Sequence, residues 1–404
     1  MMKPFIFLLI ILLLGNDPGF SADTRDYTYD GFMSREVLDN YLSRAVTHLG
    51  LCSDLNATPE DAFEEDVRML CNMGAKFIGR AAYVWYPRDD GKHLDTVVAR
   101  RAAYLLKQDP EMILQACVFE TTHYNVNDIP VPAWVFEEFG LPVESRNFRY
   151  EAMLFENGDF VDHWEKGASV PDMSRMETQF WFYYRSRRYI DLGFEAIHFG
   201  QVMLMDNNDP GHVHWRDMLD RVRAYAKKHA RRHFILCDAH TSGIAEDGEL
   251  LFDFHSFPLR TKDVLEKPQQ VILEKGHLDS IYGKSVGGRT PSGWECEHLP
   301  YLVELDNWGV RAPGQGGLPY YSWGWDEITW FANQPEEYRN KWLRYAWDWL
   351  RVNDPDGWLQ MPAQRCLTGS SDGRKWYHAN TRSSDAPEGY NQEEAIRAIW
   401  NIDK

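Results

Sequence analysis

The stretches FILCDAHTSG (234–243) and LLFDFHSFPL (250–259) each carry an apolar run that ends in Asp-x-His. Asp238 and His240 close the first run; Asp253 and His255 close the second. Short apolar runs bounded by turn-forming residues read as buried strands. Residues i and i+2 of a strand share a face. Each run is therefore expected to present a carboxylate and an imidazole side by side where its apolar character stops. Two such strand ends in succession would make one polar wall.

The same pattern extends in both directions from this pair. Strands are expected at 77–85 (the first of the sheet), at EMILQACVFETT (111–122), at 150–155 and at FEAIHFGQVML (194–204). They continue at 233–240, at 250–255, at YLVELDNWG (301–309) and at GWLQMPA (357–363). Helical periodicity fills the intervals at about 95–108, 173–192, 214–230 and 335–351, with a short helix from about 392. Two further helices precede the first strand. Leu38, Leu42, Val46 and Leu49 share a face over 34–49, and a second helix starts at Thr58-Pro59 and stops at Gly74. Strands alternating with helices mean βαβ units and a parallel sheet. Eight of them match a (β/α)8 TIM barrel with a helical extension over about 34–74 and long irregular loops, 123–172 above all. A doubly wound sheet fits less well, because no Gly-rich phosphate loop follows any strand.

The first residues, MMKPFIFLLIILLLGNDPGFSAD, have a basic start at Lys3, an apolar run from Phe5 to Leu14 and small residues at Ser21 and Ala22. That is the layout of a secretory signal peptide, so residues 1–22 are set apart and a secreted or periplasmic protein is expected over 23–404. No later segment has the run of apolar residues a membrane helix needs. The net charge of −18 argues against nucleic-acid binding. Of the six cysteines, Cys117 and Cys237 sit in apolar runs and read as buried thiols; Cys52, Cys71, Cys296 and Cys366 are candidates for one or two bridges. The chain holds 16 Trp and 20 Tyr, many in Gly- and Pro-rich stretches such as GGLPYYSWGWDEITWF. Aromatic faces in loops suit a surface that stacks on the C–H groups of sugar rings.

Catalytic groups of such a barrel come from the C-terminal ends of several strands. This chain is expected to put there Arg80, Glu120, His123, His198, Gln201, Asp238 with His240, Asp253 with His255, Glu304, Asp306 and Trp308. Trp323 and Trp325 follow in the late loop. Paired carboxylates among them suit glycoside hydrolysis, which needs one carboxyl protonated and one ionised. Glu120 is the expected general acid/base and Glu304 its partner, with Asp238 and Asp306 as substitutes. Arg80, His123, His198, Gln201, His240, Asp253, His255, Trp308, Trp323 and Trp325 are expected to bind substrate. No metal or other cofactor is expected. Two other readings stand beside this one. Asp-x-His pairs could be ligands of a metal-dependent barrel hydrolase, or the ring of polar groups could belong to a carbohydrate-binding protein without turnover.

The leader, the barrel-like alternation, the polar strand ends and the Trp-rich late loops together resemble secreted bacterial (β/α)8-barrel glycoside hydrolases over most of residues 60–365. The resemblance implies a carbohydrate substrate, and the net charge of −18 disfavours a polyanionic one, so a neutral or weakly charged glycan is expected. The resemblance also implies that Glu304, in VELDNWG, stands where the large clan of retaining barrel glycosidases has its nucleophile. That clan carries Asn-Glu at its fourth strand, and no Asn-Glu dipeptide occurs here.

Overall fold

The computed structural model describes residues 23–87, 92–267, 269–307 and 324–402. Its centre is a closed barrel of parallel strands. These are β1 Ala45–His48, β2 Phe77–Ala82, β3 Ile113–Cys117, β4 Ala196–His198, β5 Leu236–His240, β6 Phe254–Pro258, β7 Tyr301–Glu304 and β8 Gly357–Cys366. Each pairs in parallel with the next in chain order, and β1 pairs with β8, Val46 opposite Met361, which closes the cylinder. This is the expected (β/α)8 TIM barrel. A further strand, β9 Trp376–His378, folds back antiparallel on the end of β8.

The helices that frame the barrel are α1 Arg35–Leu42, α2 Phe63–Met73, α3 Ala99–Gln108, α4 Met176–Asp191, α5 Val213–His229, α6 Glu327–Ala332, α7 Glu336–Asn353 and α8 Glu393–Ile402; a further short helix, Ala133–Glu138, lies in the excursion between β3 and α4. Of these, α2 to α5 follow β1 to β4, α6 and α7 follow β7, and α8 follows β8 and its hairpin. Among the described residues no helix follows β5 or β6; irregular segments with short strand pairs take their place. No helix among the described residues is long and apolar enough to cross a membrane. All six cysteines are free, so the expected bridges among Cys52, Cys71, Cys296 and Cys366 do not form; Cys52 is buried, as Cys117 and Cys237 are.

Two expected elements differ, and the differences compensate in the strand count. The helix expected over 34–49 is α1 followed by β1. Ser34 caps the helix by accepting from Val37 N–H at 3.2 Å. At the other end Ser43 donates to the Asn40 carbonyl at 2.7 Å, a local bond that competes with continuing the helix. β-Branched Val46 and Thr47 then extend, and every residue of β1 is buried. A strand buried on both faces carries no alternation to betray it. The expected helical extension over 34–74 is therefore α1 plus the first β/α unit, and 77–85 is the second strand rather than the first. Conversely, the strand expected at 150–155 is a 3₁₀ turn at Tyr150–Met153, inside the long excursion between β3 and α4.

Helix α1 plugs the N-terminal end of the barrel. Tyr41 and Leu42, with Tyr27, Tyr29 and Met33, pack on the first inward residues of the strands, among them Ala45, Phe77, Ile113, Leu236, Phe254 and Leu302. Tyr41 donates its hydroxyl to the Tyr27 and Glu111 carbonyls. With that end sealed by apolar side chains, the opposite mouth is left for polar ones.

The two Asp-x-His pairs do not form a common wall. In the β5–β6 ladder Phe254 lies opposite Asp238 and Ser256 opposite His240, so the pairs are one residue out of register. One residue reverses the face. Asp238 turns into the barrel. Asp253, one residue before β6, turns outward and accepts from Cys237 N–H at 2.9 Å and from Arg223 of α5 at 3.2 Å. His255 is likewise outside the barrel lumen, against Ser285 at 3.0 Å. Neither is a substrate-binding residue, and the pairs do not share a metal ligand set. Among the described residues no three His, Cys, Asp or Glu side chains are grouped to hold a metal ion.

His255 instead couples stability to pH. Ser285 Oγ donates to the Leu299 carbonyl at 2.7 Å, so its proton is engaged and His255 Nδ1–H must donate to it. His255 Nε2 is buried without a partner among the described residues. Burial alone drives the imidazole down to about 3. The unfolded chain protonates near 6.5. Between these values the unfolded state binds the extra proton, so stability falls as pH drops from about 6.5 toward 3. At pH 5 this histidine should cost about 2 kcal/mol relative to pH 8. Denaturant melts of the wild type and of His255→Leu at the two pH values check this: the variant should lose the smaller increment. Equal losses would show that the imidazole is not the titrating group.

Candidate active site

Above the apolar plug the inward positions turn polar. Thr47, Gln115, His198, Asp238, Ser256 and Glu304 occupy the second inward tier. Asp238 is fully buried and accepts from Gln115 Nε2 at 2.7 Å, Ser256 Oγ at 2.5 Å and His198 Nδ1 at 2.7 Å. With Nδ1 of His198 engaged by Asp238, the rest of the ring is turned to the mouth. Asp238 on β5 thus braces His198 of β4, Ser256 of β6 and, one strand further off, Gln115 of β3.

Glu304 sits on the same tier. Its carboxylate accepts from Thr47 Oγ1 at 2.6 Å, from Arg80 Nε at 3.0 Å and Arg80 Nη2, and from Arg365 Nη1 at 3.3 Å. Arg80 reaches it through an unusual backbone. Phe77 and Gly79 face inward, so regular pleating would turn Arg80 out. Its φ of 58° and a register slip between Ile78 and Ala82 bring the guanidinium into the barrel instead. A non-glycine residue in the left-handed region costs on the order of 1 kcal/mol and is found where the surroundings demand it. Here Gln115 Oε1 accepts the Arg80 N–H at 3.0 Å and holds the kink.

Asp306 lies two residues further along the chain, at the mouth, and accepts from Arg365 Nη2 at 2.5 Å. Its side chain is 23% exposed against 9% for Glu304. Burial acts to raise both carboxyls, but the Arg80 and Arg365 guanidiniums outweigh it and hold both below the usual carboxylate range. His240 is driven down to about 4, chiefly by burial; Asp306 opposes this and Arg260 adds to it. It is therefore neutral near pH 7. Its ring packs edge-on against Phe257 and makes no hydrogen bond among the described residues, while its backbone N–H donates to the Gly200 carbonyl at 2.7 Å.

From the opposite side comes Glu120, just beyond β3. Gln201 holds it with its backbone N–H and its side-chain amide, both at 2.9 Å. Gly200 makes this approach possible: a Cβ there would fall 1.7 Å from Glu120 Oε2, and its φ is +66°. A cavity opens between these groups at the C-terminal mouth. It is lined by Arg80, Glu120, His198, Gln201, His240, Asp306, Asn307 and Arg365, with an aromatic wall of Tyr83, Trp85, Phe119 and Trp164. Glu304 and Asp238 lie beneath rather than along it.

The structure thus brings together Arg80, Glu120, His198, Gln201, His240 and Asp306 from the expected set. His123 stands apart, its ring against Tyr86 and Tyr124 and its Nδ1 accepting from Asn125 N–H. Trp325 packs over Gly369 and does not line the cavity. Trp308 and Trp323 lie outside the described residues. Sequence reasoning missed Arg365, Asn307 and the aromatic wall. Arg365 was concealed by Pro362, which suggests a strand end, whereas β8 runs on to Cys366 because Pro362 falls at the register slip opposite Thr47 and His48. Tyr83, Trp85 and Trp164 were visible only as members of an aromatic excess.

No family model matches the chain, and no curated protein matches it by sequence. Several solved structures are distantly similar. Cyclic α-maltosyl-(1→6)-maltose hydrolase from Arthrobacter globiformis, in complex with that cyclic sugar, is similar at 12% identity and a TM-score of 0.46, over 90% of this chain and 83% of the other. A debranching enzyme of Nostoc punctiforme is similar at 10% identity and a TM-score of 0.44, over 93% and 81%. A β-L-arabinopyranosidase from Geobacillus stearothermophilus in complex with arabinose is similar at 10% identity and a TM-score of 0.41, over 89% and 78%. Resemblance this distant says nothing of activity, which has to be read from the residues of the mouth itself.

Proposed function

We propose that this protein is a glycoside hydrolase acting on a neutral or weakly charged oligo- or polysaccharide, exported by way of residues 1–22. One observation carries the reading. Two carboxylates, Glu120 after β3 and Asp306 after β7, enter one cavity from strands that stand opposite each other in an eight-stranded ring. A sugar held between them is flanked on both sides of its anomeric carbon, as glycoside hydrolysis requires.

The roles follow from the surroundings. Asp306 is kept ionised by Arg365 and Arg80, as a nucleophile or water-activating base must be, and its charge favours the oxocarbenium-like transition state. Glu120 is the general acid/base that serves the glycosidic oxygen. Glu304, saturated by Thr47, Arg80 and Arg365, holds the two guanidiniums that set the charge of Asp306. His240, His198 and Gln201 supply donors and acceptors for ring hydroxyls, and the aromatic wall covers the apolar face of the sugar.

The test is hydrolysis of a panel of neutral oligosaccharides and aryl glycosides by the purified chain. Turnover of at least one glycan supports the reading. Binding without turnover would make the protein a carbohydrate-binding one, and neither binding nor turnover would overturn the reading altogether.

A further inference from the structure

The wall formed by Tyr83 and Trp85 has a second side. A larger groove lies there, sharing both rings with the catalytic cavity and continuing past Tyr86 toward Asp54 and Asn56. The rings of Tyr83 and Trp85 lie 6.3 Å apart and within 15° of parallel, and both are half-buried. Their segment is held from several directions. Ser53 Oγ accepts from Tyr83 N–H at 2.8 Å and donates to the Tyr83 carbonyl at 3.1 Å. Beneath it, buried Arg185 of α4 donates to the Val84 carbonyl at 2.9 Å and to the Cys117 carbonyl at 3.1 Å. A guanidinium buried to tie down two backbone carbonyls makes a fixed platform, not a loose loop, and a fixed platform binds without an ordering cost.

At the rim, Asp54 uses Oδ1 to accept from the Asn56 and Ala57 amides, while its Oδ2 and the Asn56 side-chain amide make no hydrogen bond among the described residues. Aromatic faces flanked by an uncommitted carboxylate and amide provide the mixed apolar and polar surface a pyranose presents in return. The groove and the catalytic cavity meet at the Tyr83 and Trp85 rings, which line both, so the occupant this adjacency favours is further units of a glycan held between Glu120 and Asp306.

We infer that the protein binds an oligosaccharide chain across both cavities, with the Tyr86, Asp54 and Asn56 groove as a distal subsite that selects for chain length. This rests on the carbohydrate reading above but not on turnover. The experiment uses the full chain carrying Glu120→Gln to stop hydrolysis. Its affinity is measured by calorimetry for malto-, cello-, xylo- and manno-oligosaccharides from disaccharide to hexasaccharide. The expected result is at least tenfold tighter binding of the hexasaccharide of the accepted series than of its disaccharide, and loss of most of that gain in Tyr86→Ala and Asn56→Ala. Asp54→Ala should act alike but also loosens its own turn, so Asn56→Ala, whose side chain makes no hydrogen bond among the described residues, decides the point. Affinity independent of length, or a length dependence that the groove variants leave intact, overturns the inference. Length-dependent binding lost in the groove variants, with no hydrolysis by the wild type, would uphold it while overturning the hydrolase assignment.

Discussion

Glu120→Gln should lower kcat/KM on an unactivated glycoside by about 10²–10⁴-fold, the range a positioned general acid/base supplies. The substitution keeps the volume of the side chain, and one amide oxygen can still accept from Gln201, so the fold should survive it. The leaving group gives the sharper readout. An aryl glycoside whose phenolate departs without a proton has little need of the acid, so the variant should lose far less on a dinitrophenyl glycoside than on an alkyl one. Equal losses on both would mean that Glu120 positions the sugar without transferring a proton. A wild-type rate on both would remove Glu120 from the chemistry and pass the role to another group of the mouth.

The second expectation separates two carboxylates two residues apart. Asp306→Asn should cost turnover, on the order of 10²–10⁴-fold, with a modest change in stability, because its side chain reaches the cavity and has Arg365 as its ion-pair partner. Glu304→Gln should do the reverse in stability. It leaves Arg80 and Arg365 buried with most of their counter-charge removed, and breaking such a buried pair costs about 3–5 kcal/mol. Denaturant melts of the two variants, run beside their kinetics, make the comparison. Activity falls in Glu304→Gln too, since Arg80 and Arg365 lose the group that holds them. A Glu304→Gln protein as stable as wild type and inactive, beside an active Asp306→Asn, would return the catalytic role to Glu304. The pH profile has a defined sign. Both carboxyls are depressed in the folded state, so their stabilisation is present above their unfolded values near 4 and is lost as pH falls through the lower folded ones.

The sequence by itself determined the architecture and the identity of most of the polar residues of the mouth. Alternating strands and helices required a parallel sheet, and polar residues recurring where apolar runs stop marked one end of it. Glu120, His198, Gln201, His240 and Asp306 were legible because each follows a clear apolar run, and strand periodicity places such a residue at the mouth. Tertiary structure alone decided what periodicity cannot carry. β1 is buried on both faces and has no alternation, so it was hidden in the shadow of α1. The facing of Asp253 and His255 depends on the register between β5 and β6, a relation between two segments that neither segment contains. The same holds for Asp306 over Glu304: the two share a face and a strand end, and only the arrival of Arg80 through a left-handed kink and of Arg365 from the far end of β8 buries one and leaves the other at the cavity. Local pattern fixes which residues reach an end of a barrel; which of them are free to act there is fixed by long-range partners.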